Sequence, residues 1–225
     1  AEPFAPNYPY GLLTGAADNE PLNPARAIPA IAADILNGNT ARAIARATRL
    51  RDANRGVADA HILLGDAALA GGQFDIAVQS FRTARNLDAG ERTTLRLANA
   101  LFRAGDAAGS GAAIMALRDS QPSSIAADRL AGHLAMDLEQ WDRAIAHFNR
   151  VRARSGDRDA VVLRELARAW SAKGDDARAL ALIDRAYRLQ PLNAGIMRLY
   201  ADLLAKRGNR QAADDLRDKA AQVGR

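Results

Sequence analysis

Three arginines recur at the spacing of a structural repeat. Arg129, Arg164 and Arg198 are 35 and 34 residues apart, so stacked units would bring their guanidinium groups into one row. Because a guanidinium group binds a carboxylate through two parallel hydrogen bonds, this row predicts the capture of acidic groups. Three more arginines lie on or beside it: Arg96, Arg103 and Arg168. The alternative is that these side chains are solvated or paired within the chain. Carboxylates suited to such pairing are Asp128, Glu165 and Asp202.

Other side chains share the helical face of these arginines. A helix turns 100° per residue, so positions 2, 5, 9 and 12 of a repeat's first helix lie opposite the packing positions 4, 7, 8 and 11. The exposed set includes three polar residues, Asp66, Asn99 and His133. It also includes three apolar residues, Ile62, Phe102 and Met136. We therefore expect a ligand with apolar anchors at one end and acidic groups at the other.

The repeat itself is visible in its turns. A glycine followed by a short polar residue recurs at intervals of 34, 33, 69 and 34 residues, and the double interval skips Glu139-Gln140. Glycine ends a helix in the left-handed conformation, and a side-chain oxygen caps the next helix. Apolar residues recur at helical spacing and never alternate over a strand's length. The sequence predicts an all-α chain of about six helical hairpins. Their boundaries are 24–57, 58–90, 91–124, 125–158, 160–193 and 194–225.

The residues at equivalent positions of these units resemble the tetratricopeptide repeat family. That family has small residues at positions 8, 20 and 27 and a bulky residue at position 24. Here position 8 holds Gly65 and Gly132, and position 24 holds Phe81 and Phe148. The resemblance implies a right-handed α-α superhelix, a solenoid whose concave groove is lined by the exposed face described above. Some members hold a carboxylate with a lysine and asparagine pair that no unit has here, so that site is not carried over.

Residues 1–23 differ from the repeats, because four prolines there, followed by Pro24, favour an extended course. Three aromatic residues nevertheless lie there: Phe4, Tyr8 and Tyr10. We expect part of this segment to pack on the helices, either bracing the first unit or filling the groove as an internal ligand. The first unit departs from the family pattern at Asp34, and its opening helix is expected to begin at Pro29.

Catalytic and cofactor motifs are missing from the sequence. It contains no cysteine, so thiolate chemistry and Cys-based metal sites are excluded. The three histidines occupy non-equivalent repeat positions, without the spacing of paired metal ligands. Gly105, Gly109 and Gly111 are not followed by the Lys-Ser/Thr of a phosphate loop. Trp141 and Trp170 fall at family core positions and are expected to be buried. We predict no enzyme activity, no cofactor and no metal.

Charge limits the choice of partner. The chain has 31 basic and 26 acidic residues and a net charge of +5, and its arginine excess over lysine is typical of a GC-rich bacterial genome. We predict a non-catalytic scaffold that binds a peptide or protein segment with acidic groups in its groove. The alternative is an RNA or other polyanion binder, which the pI of about 10.0 allows, although the arginine row lacks interleaved aromatics.

Two features of the sequence bear on localisation. No apolar stretch is long enough to cross a bilayer. The start Ala-Glu-Pro, without methionine, fits a mature chain after signal-peptide removal or a recombinant fragment. This favours an exported, periplasmic protein over a cytoplasmic one.

Overall fold

The computed structural model describes residues 22–223. All regular structure in this range is helical, with twelve helices and no strand. Consecutive helices pack in pairs to form six hairpins. The predicted all-α fold and its number of hairpins are confirmed.

The hairpins belong to two compact units, which divide between Ser120 and Gln121. The described part of unit 1 contains α1 (Pro24–Leu36), α2 (Thr40–Ala53), α3 (Ala58–Ala70), α4 (Phe74–Leu87), α5 (Glu91–Arg103) and α6 (Ala107–Ser120). That of unit 2 contains α7 (Ile125–Asp137), α8 (Trp141–Ser155), α9 (Ala160–Ala172), α10 (Asp176–Leu189), α11 (Ala194–Lys206) and α12 (Arg210–Val223).

Every hairpin turns through a residue in the left-handed region. The five glycines of the turn pattern have φ values between 72° and 94°, as the sequence predicts. At the skipped position Glu139 has a φ of 56°, and it is the one non-glycine residue with positive φ in residues 22–223. The fourth hairpin therefore keeps the turn geometry without the glycine.

The core of each unit depends on a close approach between the two helices of a hairpin. In unit 1 the ring of Phe81 on α4 lies against Gly65 on α3. In unit 2 the ring of Phe148 on α8 lies against Gly132 on α7. Both rings are completely buried. The small residue and the bulky residue of the sequence pattern are thus a contacting pair.

The first helix begins earlier than the sequence suggested. α1 starts at Pro24 rather than Pro29, because the side chain of Asn23 accepts a hydrogen bond from the Ala25 amide at 3.1 Å and caps the helix. Pro29 lies inside α1, where it lacks only the amide that would bond to the Ala25 carbonyl. Proline at the first helical position suits a helix start, since its missing amide has no partner there.

Asp34, where the first unit departs from the family pattern, joins the two helices of that unit. Its carboxylate is completely buried between α1 and α2. Arg46 binds one oxygen, and Arg42 Nη2 lies 2.7 Å from the other. Because both arginines are on α2, the buried charge is compensated across the hairpin.

Two further sequence expectations concern the N-terminal aromatic residues and membrane-spanning segments. Phe4, Tyr8 and Tyr10 lie outside the described residues. Within residues 22–223, the helices are too short or too polar to span a lipid bilayer.

Candidate functional site

The arginine row of unit 2 lies on the first helices of its hairpins, α7, α9 and α11, and its members differ in what they contact. On α7, Arg129 Nη2 lies 2.9 Å from an oxygen of Asp159. The other oxygen of Asp159 accepts the amides of Val161 and Val162 and caps α9. Arg129 therefore connects two hairpins, in addition to any role in binding.

A buried carboxylate holds the two arginines of α9. Glu165 is only 1% exposed. Its Oε1 accepts hydrogen bonds from Arg164 Nε at 3.0 Å and Nη2 at 2.6 Å, and its Oε2 accepts one from Arg168 Nη1 at 2.9 Å. The internal pairing that the sequence left open is therefore present for both arginines. Much of their charge is neutralised by the protein itself.

Arg198 on α11 differs from the other three. Its side chain is exposed, and it forms no ion pair with any residue in the described range. Asp202, one turn further along α11, bonds to Arg217 of α12 instead, at 3.1 Å. Among the row members of unit 2, Arg198 is thus the one whose charge is not paired with a carboxylate of the described residues.

His133 lies between the arginine row and the core. Its ring packs edge-on against Phe148 with 5.3 Å between the ring centroids, and its Nδ1 lies 4.0 Å from Glu165. Burial lowers the pKa of His133 below its ordinary value. Arg168 and Arg129 lower it further, while Glu165 and Asp137 act in the opposite direction. At neutral pH the uncharged imidazole therefore predominates.

A pocket of about 360 Å³ lies beside the row in unit 2. Its lining combines two cations, an acid and several apolar or small side chains, contributed by α7, α8, α9 and α11. The lining residues are Met136, Asp137, Trp141, Arg168, Ser171, Ala172, Leu199 and Lys206. We call this the unit 2 pocket.

Two residues of the predicted site, Met136 and Arg168, meet in the unit 2 pocket, whereas Leu199 and Lys206 were not predicted from the sequence. Lys206 donates a hydrogen bond to Ser171 Oγ at 3.0 Å, which holds its ammonium group at the pocket. The sequence contained a signal for Lys206, because this residue lies four positions after Asp202 and therefore on the same face of α11.

The tryptophans are more exposed than predicted. Trp141 and Trp170 are both half-buried. Trp141 lines the unit 2 pocket. Trp170 packs against the core on one side, while Arg178 and Lys173 lie 4.4 and 5.5 Å from its ring centroid. Cations cover a ring that was expected to be enclosed by helices.

In unit 1, two arginines of the predicted site are also engaged within the protein. Arg96 Nε donates to both carboxylate oxygens of Asp66, at 3.0 and 3.2 Å. Burial raises the pKa of Asp66 above its ordinary value, against the opposing effect of Arg96. Arg103 lies over the ring of Phe74, 5.2 Å from its centroid. Unit 1 thus offers less unpaired charge than its sequence suggested.

The apolar and polar residues predicted in unit 1 divide into two groups. Ile62 is only 5% exposed and packs in the core with Phe81 and Leu97, so it does not present the exposed contact that was expected. Its side chain is covered by residues of the two following helices, α4 and α5. Asn99 and Phe102 are half-buried and remain accessible.

No cluster of three or more metal-ligating side chains occurs in the part of the chain that the structure describes. The polar groups near the unit 2 pocket are arginine, lysine, serine and one aspartate. This combination suits the binding of an anion beside an apolar surface.

Six hairpins, each built from two helices in contact, define a helical-hairpin repeat protein. The model of the tetratricopeptide repeat family matches residues 37–92 and 129–194, which is more than half of the chain. The chain belongs to the tetratricopeptide repeat family. This repeat fold indicates a protein-interaction scaffold, and such repeat proteins are generally non-catalytic.

Solved structures share the fold at low sequence identity. A tetratricopeptide repeat protein from Parabacteroides merdae ATCC 43184 is 15% identical, with a TM-score of 0.76 over 96% of this chain and 86% of that one. MamA from Desulfovibrio magneticus RS-1 is 14% identical, with a TM-score of 0.62 over 74% and 94% of the two chains. The APC/C hetero-tetramer Cut9-Hcn1 matches at 13% identity and a TM-score of 0.70, over 95% of this chain and 42% of that one. No curated protein matches the sequence significantly.

Proposed function

We propose that unit 2 binds a peptide or protein segment that carries an acidic group next to a bulky apolar side chain. The observation that carries this proposal is the composition of the unit 2 pocket. Arg168 and Lys206 line it together with Met136 and Leu199. A carboxylate would contact the two cations, and an apolar side chain would lie on the methionine and leucine.

The arginine row supports the same ligand class. Arg198 lies next to Leu199 on α11 and has no ion-pair partner within residues 22–223. It would attract a second acidic group of the bound segment. Arg129, Arg164 and Arg168 keep donor groups beyond those that bind Asp159 and Glu165, since each guanidinium has five N–H groups. These donors would orient the ligand more than they attract it.

Unit 1 has accessible residues of its own that suit a ligand of the same class. Asn99 supplies an amide and Phe102 an apolar ring, both half-buried. The side chains of Arg96, Arg103 and Asp66 are held in place by contacts within the protein, and they would meet a ligand in those positions. The resemblance to Cut9, which is found in a complex with Hcn1, agrees with a scaffold role for repeats of this fold.

The test uses the full chain and fluorescently labelled synthetic peptides. One peptide contains alternating glutamate and leucine, a second replaces every glutamate with lysine, and a third replaces every leucine with serine. Fluorescence anisotropy should show binding that needs both glutamate and leucine. Equal binding of the lysine peptide would contradict the proposal.

A matched pair of variants then locates the site. Arg198→Glu with Lys206→Glu should weaken binding of the glutamate and leucine peptide by about tenfold or more. Arg210→Glu with Lys219→Glu makes the same change of net charge at exposed positions of α12. This control should bind like the parent, and an equal loss in both variants would show that only overall charge matters.

The polyanion alternative predicts a different result in the same assay. If the basic surface binds RNA, oligouridine should compete with the peptide, and its affinity should fall steeply with salt through counterion release. A peptide site with apolar contacts should retain part of its affinity at high salt. Stronger binding of oligouridine than of the peptide would favour the alternative.

A further inference from the structure

The first helix carries an exposed apolar surface. Ala25, Ile28, Ala32 and Leu36 are all exposed in α1, and their spacing of three and four residues places them on one helical face. Ile28 is 41% exposed and Leu36 is 53% exposed. We call these four residues the α1 stripe.

The α1 stripe differs from the equivalent surface of every other hairpin. Its members occupy positions 2, 5, 9 and 13 of the first unit. In each of the other five units, two or three of these positions hold charged or polar residues, for example Arg198, Asp202 and Lys206 in the last. A helical repeat that faces water needs polar groups on its exposed side. The wholly apolar stripe therefore indicates a surface that is covered.

We propose that the segment of residues 1–21, which is joined to α1 through Leu22 and Asn23, covers the α1 stripe. This segment contains five large apolar or aromatic side chains in a chain that is only 5% aromatic: Phe4, Tyr8, Tyr10, Leu12 and Leu13. Its aromatic rings supply an apolar surface that would pack against the α1 stripe.

Length and connectivity allow this contact. α1 has 13 residues and is about 20 Å long, at about 1.5 Å per residue. An extended chain covers that distance in about six residues, so the segment is long enough to reverse direction and run beside the helix. Its direct attachment to α1 gives it a high effective concentration at the stripe.

Charge also favours this occupant. The segment carries Glu2, Asp18 and Glu20 and no lysine or arginine, whereas basic residues outnumber acidic ones in the whole chain. A second copy of the protein is a weaker match. Four side chains, two of them alanines, expose far less than the roughly 800 Å² per partner that a stable interface needs.

Cysteine labelling of the full chain tests the proposal, because the sequence has no cysteine of its own. Ile28→Cys is compared with Met115→Cys, an exposed apolar position of the same unit on α6. Each is combined with Phe4→Ser, Tyr8→Ser and Tyr10→Ser. The triple change should accelerate thiol labelling several-fold at position 28 and leave the rate at position 115 unchanged.

Three outcomes would overturn the proposal. The first is an unchanged labelling rate at position 28 when the aromatic residues are replaced. The second is a dimer in light scattering that becomes a monomer on Ile28→Lys, which would assign the stripe to a second copy. The third is stronger binding of the glutamate and leucine peptide by the triple variant without faster labelling, which would place the segment at the unit 2 pocket.

A double-mutant cycle provides a second measurement. Ile28→Lys with Leu36→Lys, the triple serine change and their combination are compared by urea unfolding. If the segment covers the stripe, the losses of stability should be smaller together than the sum of the two taken separately. Leu192→Lys, at an exposed position of unit 2, should show no such coupling, and additive losses at the stripe would overturn the proposal.

Discussion

Gly132 lies so close to the ring of Phe148 that a Cβ atom on Gly132 would stand 2.6 Å from Phe148 Cε1. The equivalent distance between Gly65 and Phe81 is 2.5 Å. Both phenylalanines are completely buried, so neither ring can move aside without disturbing its neighbours. The small residue at this repeat position is required by the volume of its partner.

Gly132→Ala should therefore destabilise the protein by about 1–3 kcal/mol through overpacking. Gly111→Ala is the matched control, because Gly111 lies in α6 with no atom within 4 Å of its added Cβ. Alanine has the higher helix propensity, so this control should stabilise by up to about 1 kcal/mol. Urea unfolding followed by circular dichroism measures both. Equal effects would show that the contact with Phe148 does not limit the site.

Replacing Glu139 with glycine should stabilise the protein. Its φ of 56° is unfavourable for a residue with a Cβ atom, and Glu139→Gly should raise the free energy of unfolding by about 1 kcal/mol. Gly174→Ala, the reverse change at an equivalent turn with φ of 94°, should lower it by a similar or larger amount. If both variants lose stability, the glutamate side chain makes a contact that outweighs the backbone strain.

Glu165→Gln should affect stability and binding in opposite directions. Loss of the buried charge leaves Arg164 and Arg168 without their carboxylate partner, and the free energy of unfolding should fall by about 1–3 kcal/mol. Binding of the glutamate and leucine peptide should become tighter, since both arginines regain unpaired charge. Asp142→Asn, at an exposed ion pair with Lys173, should change stability by less than about 1 kcal/mol. Weaker binding by Glu165→Gln in the folded state would contradict a binding role for these arginines.

His133 should make stability depend on pH. Because burial lowers its pKa from the ordinary value of 6.5, the unfolded chain binds a proton that the folded chain does not bind in the window below 6.5. Stability is therefore lost as the pH falls from 6.5 through the lower pKa of the folded state. His133→Gln should reduce this loss. The midpoint of the His133 resonance in an NMR titration should lie below 6.5, and a midpoint above it would contradict the prediction.

The turns and Ile62 show how much of the structure could be predicted from the sequence. The glycine spacing predicts the number of hairpins because a left-handed turn residue acts locally, through its own φ angle. At Glu139 the repeat spacing predicts a turn without the residue type that marks it, and the structure shows that the backbone there is left-handed. Ile62 is a related case, because its position on a helix could be predicted whereas its burial depends on how closely the next two helices, α4 and α5, pack against it.

Local rules in the sequence determined the helices, their pairing and the placement of Arg129, Arg164 and Arg198 at equivalent positions. The tertiary structure decided which of those charges remain available, because neutralisation depends on distances of about 3 Å between side chains. Glu165 binds two arginines and Asp159 a third, and Arg198 is left without an ion pair among the described residues. Lys206 and Leu199 likewise join Arg168 and Met136 only when hairpins pack side by side, since the residues of one pocket come from four different helices.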